Sequence, residues 1–183
     1  MEMKRRTLVW VAVAAIVLII ELGATVGAAT GEPFSPVSGW GQTHPIDALT
    51  FAIVVVGCVA LALVGRFPIT AAIIATACYA VFALRDHELG MFLPPMVAIF
   101  ALAALTRHRV VAILCALVSL AAALIWVAHR AATIVEPGVA LLVWVAFGTV
   151  FAVFYLGPLL VGEIIRTRSL LREARSSAHA ARD

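Results

Sequence analysis

The residues able to bind or pass on a chemical group are few in this chain, and they sit between long apolar runs. His44, Asp47, Asp86, His87, Glu88, His129 and Glu136 all fall in such connections. Imidazoles and carboxylates gathered on one side of a membrane can hold a metal ion or titrate near neutral pH. Their spacing here is not that of a metal motif, and solvated loop residues are the plainer expectation. No nucleophile elbow, phosphate-cradling glycine loop or zinc helix motif is present. No catalytic residue, metal ligand or cofactor is therefore expected, and His44, His87 and His129 remain as candidate sensing groups. Glu21 joins them as the acidic residue well inside an early apolar run. Counted from Thr7 at 1.5 Å per residue, it lies about 21 Å along a helix, in the outer half of a bilayer. An intramembrane carboxylate usually faces the bundle interior and has a role. The alternatives are a glutamate that reaches water at the outer interface, or one that is protonated. Cys58, Cys78 and Cys115 lie singly in apolar runs without paired spacing, and read as small core residues.

Positioning these groups falls to the apolar runs. The chain is 64% hydrophobic and 13% charged, far from the roughly 25% charged residues of a soluble domain. It reads as an all-α, polytopic integral membrane protein with about six transmembrane helices and no separate catalytic domain. The runs cover Thr7–Thr30, residues 46–64, Pro68–Leu84, and residues 91–105, 110–127 and 139–161. A spanning helix needs about 20 apolar residues, so the third and fourth are short. With the amino terminus in the cytosol, eleven basic residues fall inside and only Arg85 and Arg130 outside, as the positive-inside rule requires. Both termini are then cytoplasmic. The net charge of +3 is a topology signal and not a nucleic-acid footprint. The basic start and the small residues near 24–29 resemble a cleavable signal peptide, but Glu21 and the run to Thr30 fit a retained span better. Residues 31–45, with Phe34 and Trp40, read as a turn-rich outer lid with interfacial aromatics.

The sixth run does not stop at the membrane. Residues 1–165 form the bundle, and residues 166–183 continue as a basic, Ala-rich cytosolic helix with Glu163, Arg166 and Arg168 at its exit. Ile164, Thr167, Leu171, Ala174, Ala178 and Ala181 fall on one stripe. That stripe suits a parallel pair with a second copy, or a basic helix lying on the anionic inner leaflet. Pro94-Pro95 would kink or loosen the fourth span. Gly157-Pro158 lies roughly 12 Å before Arg166 and is a candidate signal-transmitting hinge, against a simple packing adjustment.

Two stretches carry a family resemblance. Arg66-Phe67-Pro68-Ile69-Thr70, followed by Tyr79, the Leu89-Gly90 turn and an apolar span ending near Arg107, is one. Gly162-Glu163-Ile164-Ile165-Arg166-Thr167-Arg168, with Leu171 and Ala174, is the other. From about Ala48 onward the chain resembles the amino-terminal membrane domain of actinobacterial-type sensor histidine kinases. The resemblance implies a bacterial inner-membrane input module that passes a signal through its last span into the start of a signalling helix. The partners it implies are the lipid bilayer, a second copy and a cytosolic signalling protein. His179 lacks the acidic flanks of the family's phosphoacceptor and is given no such role, and no nucleotide site is present, so a kinase-less relative or a separated input module is expected. A small transporter or channel, and a scaffold subunit of a membrane complex, are the rival readings. An enzyme is the least expected, because no convergent catalytic set is visible.

Overall fold

The computed structural model describes residues 2–30, 44–87 and 90–180. The expected lid with Phe34 and Trp40, Glu88, Leu89 and residues 181–183 lie outside the described residues, as do the side chains of residues 2–6, 173 and 178–180. Six α-helices follow one another: α1 (Glu2–Thr30), α2 (Ala48–Ala60), α3 (Pro68–Leu84), α4 (Leu93–Leu105), α5 (Arg109–Ala131) and α6 (Pro137–Ala180), with a 3-10 turn, Leu61–Leu63, prolonging α2. No strand occurs among the described residues. Each apolar run of the sequence has become a helix. Proline marks several of the starts: Pro68, Pro94, Pro95 and Pro137 all lie in first turns. There the missing N–H would have had no intrahelical partner, and the ring already fixes a helical φ. Asp47 caps α2 by accepting from the Thr50 N–H.

Among the described residues, three helical stretches are long and apolar enough to cross a membrane: Thr7–Thr30, Arg109–Ala131 and Pro137–Ser177. The segments Ala48–Leu63, Pro68–Leu84 and Leu93–Leu105 are apolar but shorter. The elements run alternately up and down. Asp47 meets Arg85, and Asp86 meets Arg130, at one rim. Arg109 meets Glu163 at the other. α3 and α4 occupy the middle: α4 touches every other helix, whereas α1 and α6 flank the bundle without meeting among the described residues.

The interior is built from small side chains. Ala71, Ala72, Ala75, Ala101, Ala103 and Ala116 are fully buried. In lipid no hydrophobic drive pulls helices together, so close backbone approach and dispersion must hold them. The sharpest case is Gly162 on α6, where an added Cβ would lie 2.7 Å from Ala103 Cβ and 3.0 Å from the Phe100 carbonyl oxygen. Large apolar side chains such as Ile19, Val110, Leu141 and Leu142 point outward instead. Exposure of this kind is costly in water and neutral against acyl chains.

α6 spans 44 residues without a break through Pro158. Its length is about 66 Å, roughly twice the ~30 Å hydrocarbon core of a bilayer. From Thr167 to Ser177 every described side chain is exposed, so this end is a rod standing clear of the bundle.

Candidate functional site

α4 poses a problem that the rest of the structure solves. Its 13 residues make only about 20 Å, so its amino-terminal end lies inside the depth of the bundle. A helix start leaves backbone N–H groups without partners, and lipid supplies none. Pro94 and Pro95 remove two of these donors. Glu21, reaching across from α1, takes two more: its Oε2 accepts from Met91 N–H at 2.6 Å and its Oε1 from Leu93 N–H at 2.8 Å. Glu21 is 3% exposed, so it neither reaches out to water nor stands unpaired. It is a cap supplied by another helix, at the end of α4 where the helix dipole favours an acidic group. Thr25 Oγ1 donates to the Glu21 carbonyl at 2.7 Å.

The loop that α4 starts from is tightly wound. Asp86, Gly90 and Met91 all have positive φ, at 61°, 139° and 62°. A left-handed residue other than glycine costs about 1 kcal/mol and persists only where its surroundings impose it. Here the imposition is visible. Glu21 holds the Met91 N–H, and the fully buried Met91 side chain sits over Gly57 of α2, where any Cβ would collide with its methyl group.

The first half of the loop is held from the other helices. Asp47 Oδ1 lies 2.8 Å from both the Thr50 N–H and the Thr50 hydroxyl, and Asp47 Oδ2 pairs with Arg85 at 2.6 Å. The Thr50 N–H first, the Thr50 hydroxyl when it donates to Asp47, and the Arg85 charge hold the Asp47 carboxyl down at about 2. Thr50 Oγ1 is 2.9 Å from His87 Nε2, and His87 Nδ1 is 3.2 Å from the His44 carbonyl oxygen. Burial pushes the His87 imidazole below its ordinary value, partly offset by the His44 carbonyl. From α5, the Trp126 indole N–H donates to the His87 carbonyl at 2.9 Å. Arg130, 1% exposed, donates to the Asp86 carbonyl and pairs with its carboxylate, both at 3.0 Å. Residues 85–87 and 90–92 are thus clamped by α1, α2 and α5 together.

An aromatic cleft opens beside the clamp, lined by Tyr79, Phe82, His87, Phe92, Trp126 and Phe151 among others. Its enclosed space is ≈ 10 Å³, about what one water molecule needs and far below the roughly 300–1,000 Å³ of small-molecule pockets. Its far wall belongs to α6: Phe151 packs on Phe92 at 5.5 Å and on Trp126 at 6.2 Å between ring centroids.

Of the candidate sensing groups, the structure brings His44 and His87 together, edge to face at 5.6 Å, and places Glu21 at the other end of the same loop. His129 lies at the rim, 3.7 Å from Asp86 Oδ2, with its ring 69% exposed. At the opposite rim Glu163 Oε1 lies 3.2 Å from Arg109 and 3.8 Å from Arg166, while Arg168 is exposed. Beyond its chain neighbours and its own helix backbone, Gly157 has no atom within 4 Å of where its Cβ would stand, and Pro158 is half-buried within a continuous helix. Thr50, Trp126 and Met91 were not apparent from sequence, since each acts on a group tens of residues away. The adjacent prolines at 94 and 95 were the available signal of a helix start poor in donors. No group of three or more His, Cys, Asp or Glu able to hold a metal is found among the described residues. The chain matches no known protein family, no curated protein and no solved structure.

Proposed function

We propose that this chain is a membrane sensory module, with the outer-rim clamp as its input and α6 as its output. The observation that carries the reading is Phe151. This residue of α6 walls the cleft that His87 and Trp126 also line, and the same helix leaves the opposite rim as an exposed rod. A change in the clamp therefore has a packed route to the cytosolic end. In this reading the chain crosses a bacterial inner membrane six times, with α2, α3 and α4 sharing the bilayer depth with their connections and both termini in the cytosol. The resemblance to histidine-kinase input domains supports the same assignment, with a second copy or a cytosolic signalling protein meeting the rod.

The test is cross-linking in native membranes. Single cysteines at Leu171 or Ala174 are expected to join two copies several-fold more readily than one at Arg172. Equal or stronger cross-linking through Arg172→Cys would end the paired-rod reading.

A second reading, a small transporter, draws on the short α4, because helices that begin inside the bilayer often mark transport sites. Here that helix start is filled by Glu21. Solute or ion flux in liposomes that is lost in Glu21→Gln would favour transport over sensing.

A further inference from the structure

His87 is held through both ring nitrogens, and the chemistry of its two partners is unequal. The His44 carbonyl oxygen can only accept, so Nδ1 carries a proton whenever that contact is made. In the neutral ring Nε2 is then a bare acceptor, and the single proton of the Thr50 hydroxyl must point at it. Asp47 Oδ1 lies within reach of the same hydroxyl, 2.8 Å away, yet cannot receive that proton at the same time. In the imidazolium Nε2 becomes a donor. Thr50 Oγ1 then accepts from His87 and gives its own proton to Asp47. Both arrangements fit the same heavy-atom positions, so the change needs only rotation of one hydroxyl.

We propose that His87, Thr50 and Asp47 form a proton-binding relay at the outer rim, in which a proton taken up at His87 Nε2 turns the Thr50 hydroxyl from His87 to Asp47. The proton comes from the outer aqueous phase, and no covalent bond beyond Nε2–H forms. The surrounding charges set its consequence. Ahead of α2 stands His44, and α2 presents Asp47, already paired with Arg85 at the end of α3. Asp86 faces Arg130 and His129 of α5. From α1, Glu21 grips the far end of the loop. Phe82 of α3 lies 5.0 Å from the His87 ring, and Phe151 of α6 lines the neighbouring cleft. A new positive charge at His87 therefore competes with Arg85 for Asp47 and alters the hold of α2 on His87. Burial and the Arg85 charge oppose the charged ring, so the relay loads below the ordinary imidazole value. Only the use of the relay as a stimulus rests on the sensory reading above.

The experiment is nitrogen NMR of the full chain, labelled at histidine and held in nanodiscs, with the His87 signals identified by their loss in His87→Gln. The expected result at about pH 8, well above the ordinary imidazole value, is the Nδ1–H tautomer, opposite to the Nε2–H form that predominates for histidine in water. Acidification should protonate Nε2. Thr50→Val should lower that midpoint by about one pH unit, through loss of the acceptor for a charged donor, and Thr50→Ser should restore it. An Nε2–H tautomer at high pH, or a midpoint that Thr50→Val leaves in place, overturns the relay. The wild-type tautomer needs no variant to fold. If the sensory reading alone is wrong, the relay titrates as expected and the cross-linking pattern of the tail fails.

Discussion

At the scale of single residues, the charges that look anomalous in the sequence are the ones the structure neutralises. Arg85 and Arg130 break the basic-inside pattern, and each is paired, with Asp47 and Asp86. Glu21 breaks the apolar pattern of α1, and both its oxygens accept backbone N–H groups. Glu21→Ala leaves one buried and one part-buried donor, the Met91 and Leu93 N–H groups, without partners. A buried unsatisfied group costs about 1–3 kcal/mol. The apparent melting temperature in detergent should therefore fall markedly, and Glu21→Gln should fall less because one oxygen still accepts. A Glu21→Ala protein that melts like the wild type would show that α4 is capped some other way. The residue types at this site were legible in the sequence. Their pairings were not, because Glu21 acts on the backbone of Met91 and Leu93, and backbone donors carry no mark in a sequence.

Among the elements, α6 shows where glycine is needed and where it is not. At Gly162 a side chain would meet the Phe100 carbonyl oxygen and the Ala104 nitrogen, 3.0 and 3.1 Å from its Cβ. Those are atoms of the α4 backbone and cannot step aside. Gly162→Val should push α6 from α4 and destabilise by about 1–3 kcal/mol, the usual range for overpacking. At Gly157 no neighbouring helix comes within 4 Å of a Cβ position, but the ring of Pro158 follows directly. Alanine gains roughly 0.5–1 kcal/mol over glycine inside a helix, and the clash of its Cβ with the proline ring, which disfavours helical backbone before proline, opposes that gain. Gly162→Val should therefore lower the thermal melt while Gly157→Ala shifts it little, and a Gly157→Ala melt as depressed as that of Gly162→Val would point to a bend the continuous helix does not display. The sequence singled out Gly157-Pro158 by type, and the close crossing lies one turn and a residue further on, at a position that only packing reveals. The helices themselves were legible as apolar runs. The shortness of α2 and α4 beside α5 and α6 follows from their connections and their place in the bundle.

For the molecule as a whole, residues 85–87 and 90–92 gather α1, α2 and α5, so their hold should govern acid stability. The sign follows from the two shifts. The His87 value is lowered on folding, so its contribution is complete above the unfolded imidazole value of about 6.5 and is lost as the pH falls from there through the folded value. Asp47 contributes fully above the unfolded carboxyl value and loses that contribution as the pH falls from there through its folded value of about 2, below this window. Between about pH 7.5 and 5.5 the apparent melting temperature should drop by a few degrees in the wild type and stay nearly flat in His87→Gln. A wild-type melt independent of pH over that span would remove His87 from the account. The close crossing at Gly162 has a mechanical corollary. A stiff rod gripped there is a lever with unequal arms: 11 residues up to Phe151, about 16 Å, and 18 residues down to Ala180, about 27 Å. Sideways travel of 1 Å at the aromatic wall would thus arrive at Ala180 as about 1.6 Å, reversed in direction. The short arm lies among aromatic rings, while from Thr167 to Ser177 the described side chains of the long arm are exposed, so the fulcrum trades force for reach.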